Sequence, residues 1–215
     1  MEALAQGTRA PATRSAIAER LWDASRIEFS SRGYHGARVQ GIARRAACNV
    51  ALLYRHWASK RALYLDILGG AWRSVFGEVL ALIEQEKVAP GVVSALLDAN
   101  LKDPVGAQIV IREVLDGGPF LSQLVELDPS LSEPIRRTAL ALGGGESPAR
   151  LRPGVDATVA VLSICGLAAV VACVHAASRP FFPSPMSTDE WREHAFRLLL
   201  NGVLEPGGAI ASQPT

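Results

Sequence analysis

The chain has 215 residues, 49% of them apolar, with 22 Lys and Arg against 21 Asp and Glu, a formal net charge of +1. That length suits one or two domains with a real core. Its three scattered cysteines, Cys48, Cys165 and Cys173, make no disulfide framework and fit a reducing cytoplasm. The near-neutral total hides an asymmetry: residues 1–61 carry 11 basic and 4 acidic side chains, net +7, and the remainder carries 11 and 17, net −6. A basic head attracts a nucleic-acid duplex and releases its counterions whatever the sequence.

Residues 1–13 contain no long apolar run, so they read as a flexible arm and not as a signal peptide. Thr13 is placed to cap a helix over residues 14–31, with Ile17, Leu21, Ala24, Ser25 and Phe29 on one side and Gly33 as its stop. Arg14, Arg20, Arg26 and Arg32 on that helix read equally well as a solvated face or as part of the basic surface. Val39, Ile42, Ala43 and Ala46 then form the apolar stripe of a short helix, with Arg38, Gln40, Arg44 and Arg45 off it. Ala47-Cys48 is a compact connection. Cys48 lies near arginines, but a small residue filling a tight turn explains it better than a thiol switch. Asn49 is a favourable N-cap for a third helix that buries Leu52, Leu53 and Trp57 and leaves Tyr54, Arg55 and His56 polar. Two short helices joined this tightly are a helix-turn-helix whose second helix enters a DNA groove.

Ser59 caps a fourth helix expected over residues 59–87, with Leu63, Ile67, Trp72, Phe76, Leu80 and Ile83 apolar and bends at Gly69-Gly70 and Gly77. Lys60 sits in its first turn, where a cation opposes the helix dipole. That conflict calls for another partner, most simply a phosphate. Pro90-Gly91 reads as a break before a helix over residues 92–101. Asp103-Pro104 starts the next, which ends at Gly117-Gly118. Helices over 119–127 and 133–142 flank Asp128-Pro129, and residues 143–152 are a Gly/Pro loop. No strand alternation and no repeat appears, so the fold class is all-α.

Residues 157–177 hold 21 residues without a formal charge. By length they span a bilayer, which gives an alternative reading: a membrane-associated helical protein anchored there. Against it stand Thr158, Ser163, His175, many alanines and the lack of a basic cluster on one side. A helix buried in the core or against a partner helix in a dimer accounts for the segment better. The last helix covers residues 188–204, with Trp191, Ala195, Leu198, Leu199 and Gly202 on one side.

Phe29, Gly33-Tyr34, Val39, Ile42-Ala43, Ala46, Leu53-Tyr54, His56, Trp57, Ser59-Lys60 and Leu63 fall at a spacing that resembles the DNA-binding domain of the TetR family of bacterial transcriptional repressors. The resemblance covers residues 14–68. It departs from the family at Ala47, where glycine is usual, at Cys48-Asn49 and Ala51-Leu52 in place of apolar-Ser and Gly-Thr, and near Ala37-Arg38, where a Thr or Ser often touches phosphate. It implies an N-terminal three-helix helix-turn-helix domain over 14–58, a helical ligand-binding and dimerisation domain over 59–204, and a flexible tail over 205–215. It also implies a homodimer on a palindromic operator, double-stranded DNA as partner, and release by a small, apolar or amphipathic effector acting through the fourth helix. Candidate DNA contacts are Arg38, Arg44, Arg45, Asn49, Ala51, Leu52, Tyr54, Arg55, His56 and Lys60. Candidates to line an effector cavity are Trp72, Phe76, Arg112, Phe120, Cys173 and His175. No catalytic motif and no metal spacing among His35, His56, His175 and His194 is present in the sequence. No enzyme activity, no cofactor and no metal is therefore expected, in a cytoplasmic protein without membrane attachment.

Overall fold

Ser15, not Thr13, opens the first helix in a computed structural model that describes residues 15–84, 89–143, 151–178 and 186–203. Its hydroxyl accepts the Ala18 amide at 3.3 Å. Thr13 lies outside the described residues, as do the expected arm and tail. Helix α1, Ala16–Gly36, carries a kink at Gly33, whose φ of 66° and ψ of 179° are open only to glycine. The expected stop is therefore real, and one further turn follows it.

Helices α2, Val39–Arg45, and α3, Val50–His56, complete a three-helix unit. Ile42, Ala43 and Ala46 of the predicted stripe are buried, with Leu21, Phe29, Leu53 and Trp57 packed into the same unit. Helix α4, Lys60–Glu84, starts at the cap that Ser59 provides to the Ala62 amide at 3.0 Å. It continues as one helix through Gly69, Gly70 and Gly77, so those glycines mark no break; the side chains of Leu80 and Ile83 lie outside what is described. The chain divides into two compact units, residues 1–67 and 68–215, so the first two turns of α4 belong to the basic unit.

The second unit contains the rest of α4 and six further helices among the described residues. Helix α5, Ala89–Lys102, corrects the expected break: Pro90 and Gly91 lie in its first turn, where a missing N–H costs nothing. Asp103 caps α6, Pro104–Leu115, by accepting the Gly106 amide at 3.0 Å. Gly117 and Gly118, both at positive φ, turn the chain into α7, Pro119–Leu127. The start of α7 has no side-chain cap of its own. The wholly buried Glu113 carboxylate supplies one from α6, accepting the Phe120 amide at 2.7 Å and the Leu121 amide at 3.4 Å. A 3₁₀ turn over Pro129–Ser132 leads into α8, Glu133–Gly143. Arg136 and Arg137 both donate to Glu133 there and hold its carboxyl down at about 2.

Helix α9, Ala157–Ser178, is the centre of this unit and packs against α5, α6, α8 and α10, Thr188–Val203. Val161, Ile164 and Ala168 meet Val92, Leu96 and Leu97 of α5, Val75, Phe76 and Val79 of α4, and Ala195, Leu199 and Leu200 of α10. Arg192 of α10 pairs with Asp98 and donates to Ser94 on α5. One expectation changes. Leu198 faces outward at 72% exposure, and Leu200 takes the inner position instead. Helix α9 is buried on one face only: Val159, Leu162, Leu167, Val170 and Val174 are all at least 40% exposed and fall on the other.

Candidate nucleic-acid interface

Asn49 sets the start of α3 by accepting the Leu52 amide through Oδ1 at 3.0 Å. Leu53 then points into the core with no exposure, and Trp57 closes the helix with its indole donating to Asp66 Oδ2 at 3.0 Å. With 53 and 57 turned inward, helical periodicity turns Ala51, Tyr54 and Arg55 to the opposite, solvent-exposed face. Tyr54 is 47% exposed, so it is not a core tyrosine. Leu52 is half-buried, and His56 is exposed beside Trp57, with ring centroids 5.7 Å apart.

The turn between α2 and α3 requires Ala47 to adopt a φ of 51°. The backbone there demands a left-handed residue, which is the conformation a glycine supplies. Ala47→Gly is expected to stabilise the basic unit by about 1 kcal/mol, the left-handed penalty less the added chain entropy. A urea melt at a tryptophan of this unit, Trp22 or Trp57, checks it; a lower midpoint contradicts it. Cys48 beside it is half-buried.

Lys60 has a partner inside the protein. Its Nζ lies 4.6 Å from the centre of the Tyr34 ring, a cation–π contact, and partial burial lowers its pKa. Tyr34 in turn packs on Tyr64 at 5.1 Å, and Tyr64 on Phe29 at 4.9 Å. The dipole conflict read from the sequence is thus met first by a ring. The signal was the aromatic after Gly33, whose partner lies 26 positions away in the chain.

Arg38, Arg44 and Arg45 are exposed and line a cleft of about 410 Å³ between α1 and α2. Arg32, Glu28, Gln40 and Gly41 share it, and none of these four belongs to the predicted contact set. For Glu28 and Arg32 the sequence signal was their spacing of one helical turn, which forms an ion pair at 3.3 Å.

Trp72 and Phe76 stack at 4.4 Å in the core, and the Trp72 indole donates to the Leu131 carbonyl at 2.9 Å. Arg112 and Phe120 are half-buried at the end of α6 and the start of α7. Cys173 packs beside Ala107, Ala169 and Ala172, and burial pushes its thiol up; burial pushes the Cys165 thiol up to about 12. His175 lies 5.4 Å from the ring of Trp191, whose indole donates to the Val171 carbonyl at 3.1 Å. A cleft of about 770 Å³ opens elsewhere, between α8 and the start of α9, and none of the six effector candidates lines it. Its walls are Ile135, Ala139, Leu140 and Ala157, with Ser132, Thr158 and Arg136 as the polar groups.

Residues 21–67 match the bacterial regulatory proteins of the tetR family. A search of the curated proteins gives no match. Among solved structures, the ketosteroid transcriptional regulator KstR2 of Mycobacterium tuberculosis is 20% identical over 92% of this chain and 99% of its own, with a TM-score of 0.67. A TetR-like transcriptional regulator from Rhodococcus sp. RHA1 is 20% identical over 90% and 98%, at 0.61. The transcriptional regulator FadR from Bacillus subtilis, solved with stearoyl-CoA, is 15% identical over 86% and 98%, at 0.60. The family match falls on most of α1, on α2 and α3, and on the start of α4, and the likeness in fold extends through the second unit. Residues 21–67 thus match the domain of the bacterial regulatory proteins of the tetR family, and the chain as a whole shares the fold of these solved regulators.

Proposed function

We propose that the chain is a homodimeric repressor that reads a palindromic operator through α3 and leaves it when a small apolar or amphipathic molecule binds the second unit. The observation that carries the reading is the division of α3. Leu53 and Trp57 anchor it, while Ala51, Tyr54 and Arg55 stand exposed for base edges. Asn49 and His56 extend that surface, Leu52 offers an apolar contact for a thymine methyl, and Arg38, Arg44, Arg45 and Lys60 supply phosphate contacts that set position.

The second copy is supported by α9. Its exposed face is a continuous apolar stripe, Val159, Leu162, Val170, Val174 and Leu167, with Ser163 and Gly166 between them. Such a stripe marks an association surface, and two-fold pairing along it presents two α3 helices to successive major grooves. The membrane alternative draws support from length and a mean hydropathy of 2.5 over residues 157–175. The packing of α9 against four other helices favours a core helix with one face left for a partner.

The effector reading draws on the α8–α9 cleft, whose apolar walls and single guanidinium suit an amphipathic molecule. Stearoyl-CoA in FadR of Bacillus subtilis is of that chemical kind. Because α4 contributes to both units, it is the element through which binding in one biases the other. Location in the cytoplasm and a purely non-enzymatic role belong to the same reading.

The test is a footprint on DNA upstream of the chain's own gene. Two protected half-sites about 34–36 Å apart, or a multiple of that, related by two-fold symmetry, are expected. A single unpaired protected site would count against the dimeric reading.

A further inference from the structure

The cleft between α8 and the start of α9 has a single charged group on its walls. Ile135, Ala139, Leu140 and Ala157 give its roughly 770 Å³ an apolar lining. That volume suits a small molecule, whose sites run to about 300–1,000 Å³. The three polar groups are not equivalent. The Ser132 hydroxyl donates to the Pro129 carbonyl at 2.8 Å, which leaves it only lone pairs to offer. Thr158 is exposed and carries no charge. Of the lining residues, Arg136 alone can answer a charge on a bound molecule.

The start of α9 does not compete for that role. Asp156 Oδ1 accepts the Val159 amide at 3.0 Å, so a carboxylate of the chain already sits at this helix end. Arg136 is oriented before any ligand arrives. Its Nε and one Nη2 hydrogen go to Glu133, at 2.7 and 2.6 Å. Arg137 donates to the same carboxylate at 3.1 Å, so two guanidinium groups share one acid, and Glu133 itself does not line the cleft. With its carboxyl held at about 2, Glu133 keeps that grip across the physiological range. The other edge of the Arg136 guanidinium retains three N–H donors. A guanidinium fixed along one edge presents a planar fork along the next, which a carboxylate meets with two parallel bonds. A dianion would leave one charge without a partner on these walls.

We propose that the cleft selects amphipaths with one anionic head, a carboxylate set on Arg136, and an aliphatic tail laid along Ile135, Ala139, Leu140 and Ala157. Glu133 is the positioning residue that holds the Arg136 fork. The choice of head rests on the effector reading of this cleft, and it excludes neutral and cationic amphipaths as the preferred class.

Calorimetry of the full chain at neutral pH with decanoate, decanol and decylamine compares three heads on one tail; the acid is ionised there. Decanoate is expected to bind about tenfold more tightly than decanol, the scale of one charged hydrogen bond. Decylamine, whose head repels the guanidinium, should bind most weakly. Arg136→Gln should remove the advantage of decanoate and leave decanol unchanged. Arg136→Lys keeps the charge without the fork and should fall between the two. Arg137→Gln removes the same charge from outside the cleft walls and should change decanoate by less than about twofold. Leu140→Ala, at an exposed part of the wall, should weaken decanoate and decanol alike. Equal affinity for decanoate and decanol, an equal loss of both in Arg136→Gln, or no binding of any of the three would overturn the anionic head. The effector role is read separately, in a gel shift on the upstream DNA with decanoate or decanol present. Binding that depends on Arg136 but leaves DNA affinity unchanged keeps the anionic site and sinks its effector role. Release of DNA by both compounds alike, indifferent to Arg136→Gln, keeps the effector role and sinks the anionic head.

Discussion

Leu53→Ala is expected to destabilise the basic unit by about 2–5 kcal/mol, the range for truncating a fully enclosed leucine. Leu53 has no exposed surface, and it is the side chain that seats α3 on the unit. A core this small has little reserve, because a short segment buries a smaller share of its surface and whole domains retain only about 5–15 kcal/mol. DNA binding should fall with the folded fraction, even though Leu53 touches no DNA. Arg55→Gln, on the exposed face of the same helix, should change stability by less than about 0.5 kcal/mol while weakening DNA. Urea melts at Trp57 with gel shifts on the same samples check both. A loss under 1 kcal/mol for Leu53→Ala would contradict the burial that turns Tyr54 and Arg55 outward.

Leu162→Asp combined with Val170→Asp should turn the proposed dimer into monomers at micromolar concentration. Both side chains are exposed within one chain, so helix content should hold. Buried against a second copy, two unpaired carboxylates are prohibitive. Losing the dimer removes the gain from engaging two half-sites at once, about 10²–10⁴ in affinity. Light scattering and a gel shift measure the two effects. A double variant that stays dimeric, or a wild-type chain that is monomeric, would show that α9 pairs with nothing.

Local chemistry made much of this fold legible in the sequence. Asn49, Ser59 and Asp103 each cap the helix their identity predicted, because a cap depends on residues three positions apart. Gly33 marks a kink and Gly117-Gly118 a turn because no other residue takes those dihedrals cheaply. Pro90 was misleading as a breaker because the first turn of a helix tolerates it. The burial of α9 could not be read from its pattern. Its outer face is as apolar as its inner one, so periodicity carries no contrast, and the packing of the other helices decides which side is covered.

The exposed face of α3 was equally legible, since fixing Leu53 and Trp57 fixes the rest by helical geometry. The arginine cleft was not. It joins Glu28 and Arg32 to residues 38–45 across two helices, and nothing local marks Glu28 as buried. Lys60 pointed correctly to a missing partner, but the ring of Tyr34 reaches it through the fold. The six effector candidates were chosen as polar or aromatic groups in apolar helices. Whether such groups converge depends on crossing geometry that sequence does not carry, and they lie in several different packing environments.

The most direct test of the central claim is binding of the purified chain to the DNA upstream of its own gene, beside a scrambled duplex, across a salt series. The account predicts tight binding to the first, at least a hundredfold weaker binding to the second, and a steep fall in both as salt rises. No binding to either duplex at low salt would contradict it.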